Sequence, residues 1–104
     1  MSFDGSEGSP ISLQDGADWT ANFRRQFPSW GCKAHFFGKE ILNDILDQEG
    51  CVGIRMYYGI NNLEENVLIL VGAKANEDDM VNGIIADKSV KCPPFCGTNN
   101  ELNG

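Results

Sequence analysis

The spacing of apolar residues along this chain changes once, from a helical period to a period of two, and the change falls near Gly50. Over 13–27, Leu13, Ala17, Trp19, Thr20, Ala21, Phe23 and Phe27 share one broad arc of a helical wheel, with Gln14, Asp15, Asp18, Asn22 and Arg25 opposite. That pattern predicts an amphipathic helix with an aromatic face. Arg24 intrudes on the arc, where its aliphatic stem can lie along apolar surface. Ser12 supplies an N-cap, and Asp15 stands three residues on as an acidic form of the capping box. Pro28 ends the helix by disfavouring helical geometry at Phe27. A linker over 28–36 follows, with Trp30 exposed or half-packed. A second helix is predicted over 38–49, with Ile41, Leu42, Ile45 and Leu46 on one side and Phe37 at its edge. Gly50 sits where a left-handed residue closes a helix.

Beyond Gly50, Val52, Ile54, Met56, Tyr58 and Ile60 alternate with Cys51, Gly53, Arg55, Tyr57 and Gly59, the signature of a half-buried strand. "NNLEEN" is a turn of hairpin length. "VLILVGA" at 67–73 is apolar on both faces and predicts a central strand paired antiparallel with the first. After the polar loop "KANEDDMVNG", a third strand is expected over 84–90, its register blurred by the adjacent Ile84 and Ile85. Helices segregated from strands predict an α+β fold, with two N-terminal helices packed on one face of a small antiparallel sheet of about three strands. The expected organisation is a flexible arm over 1–10, one domain over 11–91 and an irregular tail over 92–104.

The stretches "HFFGKEILNDILDQEGCVGIRMYYG", "LILVGAKANEDDM" and "IADKSVKCPPFCGTNNELN" resemble a family of small proteins of Bacteroidota with no established activity. The resemblance covers most of the chain from about residue 11. It implies a complete small protein and supplies no catalytic residue and no cofactor.

Composition narrows the classes. At 104 residues the chain suits one hydrophobic core, and 41% hydrophobic with 22% charged residues is ordinary for a folded domain. A formal charge of −7 opposes phosphate backbones and anionic membrane surfaces, so nucleic-acid binding is not expected. No apolar run approaches the roughly 20 residues that span a bilayer, and the start carries acids where a Sec signal carries bases. Membrane insertion is not expected, and a cytoplasmic location is the default.

Candidate chemistry centres on the cysteines and the lone histidine. Cys32-x2-His35 and Cys92-x3-Cys96 have spacings that could close a tetrahedral Cys₃His zinc site and clip the tail to the linker. Against that, Pro93 and Pro94 lack the amide hydrogens that support zinc-bound sulfur, and His35 beside Phe36 and Phe37 is read as a core residue packed where the linker meets the second helix. Structural cysteines are the alternative. A Cys92–Cys96 disulfide requires close Cα atoms, which a turn built on a cis Pro93–Pro94 bond permits, and Cys51 reads as a small core residue. A nucleophilic Cys32–His35 pair would need a thiolate-stabilising environment and an oxyanion hole, and the sequence signals neither. The cluster 76–79 fails the EF-hand pattern, with Met80 and Val81 where a ligand and a glycine belong. No phosphate-binding or nucleophile-elbow motif occurs.

What remains is a surplus of aromatic residues, Trp19, Trp30 and Phe95, and a strand face on which Gly53 and Gly59 flank Arg55 and Tyr57. Such features anchor interfaces. The expectation is a small acidic non-catalytic protein–protein interaction or assembly module, with a protein partner or self-association. A zinc-binding protein is the alternative, and a small-molecule binder or thiol enzyme using Cys32, His35 and Arg55 the second alternative.

Overall fold

The computed structural model describes residues 2–29 and 31–104, so Trp30 lies outside the described residues. In chain order the elements are α1 (Leu13–Gln26), β1 (Ala34–Phe36), α2 (Lys39–Leu46), β2 (Cys51–Ile60), β3 (Asn66–Lys74), β4 (Ile85–Ala86) and β5 (Val90–Cys92). The protein is α+β, with two helices and two small antiparallel sheets. It divides into two compact units, one formed by 1–8 with 37–89 and the other by 9–36 with 90–104.

The first unit holds the three-stranded sheet β2-β3-β4 and α2. β2 and β3 pair antiparallel, with Ile54 opposite Gly72, Met56 opposite Leu70 and Tyr58 opposite Leu68. β2 and β3 thus pair as predicted, with β3 central, but the half-buried alternation expected of β2 is not seen, since Met56, Tyr57 and Tyr58 are all exposed. A bulge between Cys51 and Gly53 shifts the register as the chain enters from Gly50, whose φ of 85° is the left-handed geometry expected there. α2 packs against β2 and β3, and Ile45, Leu70 and Ala86 form the buried centre. Phe37, Ile41, Leu42, Ile54 and Leu68 close around it.

α2 spans Lys39–Leu46, ending at the last residue of its apolar side and short of the expected 38–49. The chain then tightens, with Gln48 N donating to Ile45 O and Cys51 N donating to Gln48 O. Gln48 is consequently a stitch. Its amide nitrogen donates to Ile45 O at 2.9 Å, and its amide oxygen accepts from Ile84 N at 2.8 Å. Gly72 lies close beside it: a Cβ there would stand 3.0 Å from Cys51 Sγ, 3.0 Å from Gln48 Nε2 and 3.1 Å from Met80 Sδ, so those side chains would have to give way.

The expected third strand over 84–90 is split. Ile85 and Ala86 pair with β3, Lys88 takes a positive φ of 66°, and Val90–Cys92 leaves to form a different sheet. Asp87 and Ser89 flank the break, residue types whose side chains favour turns over ladders.

The second unit is built on that departure. β5 pairs antiparallel with β1, placing Ala34 opposite Cys92 and Phe36 opposite Val90. The segment 28–36, read as a linker, thus contributes a strand. α1 belongs to this unit, capped by Ser12, whose hydroxyl accepts from Asp15 N at 3.0 Å, and stopped at Phe27 before Pro28. α1 contains no buried residue. Among the described residues of this unit only Cys32 and Cys92 are buried, at 7% and 5% exposure. The tail is held by polar ties instead. Arg24 donates to Leu102 O and Lys33 Nζ to Asn103 O, each at 2.7 Å, and Asn103 donates to Cys96 O at 2.9 Å.

Candidate functional site

Three constellations gather the residues singled out by sequence. The first lies on the face of β2 opposite α2. Arg55 and Tyr57 alternate with Gly53 and Gly59 there and stand opposite Val71 and Ile69 of β3. The loop after β3 folds back through an isolated bridge between Ala73 and Asp79, on the side of β3 away from β2. Arg55 and Tyr57 therefore reach across β3 to meet Asp79. Arg55 Nη1 donates to Asp79 Oδ1 at 2.6 Å and to Glu77 O at 3.0 Å, and the Tyr57 hydroxyl donates to Asp79 Oδ2. Val71 and Ala73 beneath are almost fully covered.

This network fixes its charges. The Tyr57 hydroxyl, and then the Arg55 guanidinium, hold the Asp79 carboxyl below the usual carboxylate range. The bond to Asp79 pushes the Tyr57 phenol up, and the same carboxylate holds Arg55 protonated. The guanidinium is thus matched by a carboxylate, not presented bare to an anion. Asp79 is the partner that sequence reading missed. The cluster 76–79 is a turn, with Asn76 Oδ1 accepting from Asp78 N at 3.0 Å, and one of its carboxylates serves the network.

The N-terminal arm bears on the same place. Phe3 N donates to Ala75 O at 2.8 Å, and the Phe3 ring lies 5.2 Å from the Arg55 guanidinium carbon. Asp4 accepts from the Ser6 hydroxyl and amide, which lower its pKa, while Glu7 accepts from the amides of Asp4 and Gly5. The composition of 1–10 gives no sign of these bonds, because they depend on one aromatic ring meeting one cation. Between arm and strand runs an open cleft of about 300 Å³, lined by Phe3, Gly5, Glu7, Gly53, Arg55 and Ala73 among others. That is at the small end for a ligand site.

The second constellation is the cysteine group of the second unit. Cys92 and Cys96 form a disulfide across 4.7 Å between Cα atoms, with cis bonds before both Pro93 and Pro94. Cys32 is a free thiol whose Sγ lies 3.6 Å from His35 Nε2 and donates to Ala34 O at 3.2 Å. The ladder joins the two pairs, since Lys33 N donates to Cys92 O at 2.7 Å. All four predicted ligands therefore belong to one small sheet and its flanks. Two of the sulfurs are bonded to each other, and among the described residues no group of three or more His, Cys, Asp or Glu side chains is arranged to hold a metal ion. A shallow hollow beside Cys32 is lined by Phe23, Phe27, Pro28, Lys33 and Pro93.

The third constellation is exposed apolar surface. Trp19 and Phe95 are exposed in the second unit, and Phe23 and Phe27 stack at 5.2 Å. In the first unit the exposure is concentrated. An eight-residue helix is about 12 Å long and a ten-residue strand about 33 Å. α2 can therefore cover only part of β2. Beyond Ile54, on the helix-facing side, Met56, Tyr58 and Ile60 are exposed, Tyr58 at 91% and Ile60 at 73%. Leu63 in the turn is exposed as well. Among the described residues β2 is also a sheet edge, paired with β3 alone.

No protein-family model, no curated protein and no solved structure matches this chain. Among the described residues no helix is long and apolar enough to cross a membrane. The three constellations are what the molecule offers as chemistry: a neutralised polar network, a thiol group around a disulfide, and an apolar sheet edge.

Proposed function

We propose that this protein is a non-catalytic interaction or assembly module and that it docks through the outer half of the β2–β3 hairpin. The observation that carries the reading is the combination of exposed Met56, Tyr58 and Ile60 with a free strand edge. A ten-residue edge strand presents a row of backbone donors and acceptors, and such edges are ordinarily blunted by lysine, proline or a late bulge. From Met56 to Ile60 β2 has none of these, and it carries no charge in a chain of net charge −7. A like-charged second copy meets the least repulsion there.

Self-pairing also matches side chains. An antiparallel β2–β2′ ladder centred on Tyr58 sets Met56 against Ile60 of the other copy. Arg55 and Tyr57 support this edge through Asp79 and do not act as free anchors. The test is mass in solution by light scattering or sedimentation. The native chain is expected at twice the mass of one chain, and Tyr58→Lys at the mass of one. A native chain that is monomeric throughout, and indistinguishable from Tyr58→Lys, would overturn self-association.

A further inference from the structure

We propose that the second unit binds a small aryl carboxylate in a groove along α1, with aromatic side chains as its walls and Arg24 and Lys33 as the groups that take the anion. The inference is independent of the docking surface on the β2–β3 hairpin.

The sequence gives α1 an aromatic face, yet no residue of α1 is buried. Trp19 is 57% exposed and Phe27 46%. A helix of 14 residues draws most of its stability from packing of its apolar face, so an uncovered aromatic face is surface that an apolar ligand stabilises by covering. The face is also concave. One hollow of about 320 Å³ is lined by Phe27, Pro28, Cys32 and Pro93 among others, and a second of about 230 Å³ by Trp19 and Thr20. The two share Phe23, Arg24 and Lys33 and so adjoin as one groove. Together they reach the range of about 300–1,000 Å³ in which small-molecule sites fall.

The walls favour a ring. Aromatic pairs in offset or edge-to-face geometry gain more than the burial of their area, and the Phe23 and Phe27 rings already pair at 5.2 Å. A flat, rigid ring also loses less conformational freedom in an open groove than a flexible alkyl chain does.

The charges favour an acid. Arg24 Nη1 donates to Leu102 O and Lys33 Nζ to Asn103 O, each at 2.7 Å. Both acceptors are neutral carbonyls, and among the described residues neither cation lies in an ion pair, whereas Arg55 is matched by Asp79. A guanidinium carries five N–H donors and an ammonium three, so both groups keep donors for an incoming carboxylate. The unit as a whole does not repel an anion. It holds Arg24, Arg25, Lys33 and Lys91 against Asp15, Asp18 and Glu101, so the excess of acid lies in the other unit. Repulsion from those acids is screened beyond about 8 Å at physiological ionic strength, which leaves the adjacent cations to decide the fate of a small monoanion.

The test is a nuclear magnetic resonance titration of the native chain with 1-naphthaleneacetate and, in parallel, with its neutral isostere 1-naphthaleneacetamide. The acid is expected to bind saturably at one per chain, shifting the Trp19 indole N–H and the amides of Cys32 and Lys33 and leaving those of Met56–Ile60 in place. The amide should bind at least about tenfold more weakly, the worth of one charge-assisted hydrogen bond. Arg24→Gln and Lys33→Gln should each weaken the acid by about tenfold and leave the affinity for the amide unchanged, a split that loss of the fold does not produce. Equal affinity of the native chain for acid and amide overturns the proposal. So do shifts confined to the hairpin, or no saturation by the acid at about 5 mM, which is too weak for a site.

Discussion

The two units of this small protein are held together by different physics. The first has a dry apolar centre, with Ile45 and Leu70 fully buried between a short helix and a hairpin. Among its described residues the second buries only Cys32 and Cys92, and it relies on a three-rung ladder, a disulfide and side-chain bonds to the backbone of its tail. Hydrophobic burial scales with apolar area and is indifferent to redox state and largely to pH. Bonds among sulfur and polar groups respond to both. The apolar unit is the scaffold, and the sulfur unit is where conditions can act.

The contrast is broken most forcefully at Ile45. Ile45→Ala removes the packed centre of the first unit and should destabilise it by about 2–5 kcal/mol, read as a lower denaturation midpoint with tryptophan-independent probes such as far-ultraviolet dichroism. A loss below about 1 kcal/mol would mean that the apolar centre does not hold the unit. A smaller effect is expected at the stitch. Gln48→Ala deletes the acceptor for Ile84 N and should be destabilising by about 1–2 kcal/mol. Gln48→Glu keeps an acceptor oxygen and should lose less, so equal losses would show that the bond to Ile84 is not what matters.

The smallest effect is electrostatic and lies in the Arg55–Tyr57–Asp79 network. Asp79 has a lowered folded pKa, so its contribution is complete above the ordinary carboxylate value of about 4 and is lost as pH falls through the lowered one. Tyr57 has a raised folded pKa, so its contribution is complete below about 10 and is lost as pH rises beyond it. Asp79→Asn should therefore flatten the acid limb of stability against pH and lower the plateau slightly. An unchanged acid limb would remove the network from the account.

Much of the first unit was legible in sequence because its residues obey local periods. β2 and β3 form over the residues read as strands, β3 is apolar on both faces as read, and Gly50 takes the left-handed φ expected of it, although α2 has already ended at Leu46. Ser12 caps α1 for the same kind of reason, since a cap involves residues three apart. The misreadings are long-range. Val90 was read into one strand with Ile84 and Ile85 although Asp87 and Ser89 favour a turn between them, and nothing local reveals that Val90–Cys92 joins Ala34–Phe36. A three-residue strand has too few positions to display a period. In the candidate site, the short Cys92–Cys96 bridge and the cis Pro93–Pro94 bond that permits it were readable from the spacing and the prolines. Asp79 escaped because its partners lie 22 and 24 residues away in the chain, and Phe3 because one aromatic residue in a polar arm carries no pattern.

Residue-resolved hydrogen exchange of metal-free protein, oxidised against reduced, tests the central contrast. Reduction is expected to accelerate exchange at Lys33 and through 34–36 and 90–92, while Leu68–Ala73 of the buried hairpin keeps its protection. Loss of protection across both units together, or no change at the β1–β5 ladder, would contradict the division of this protein into an apolar scaffold and a sulfur-held unit.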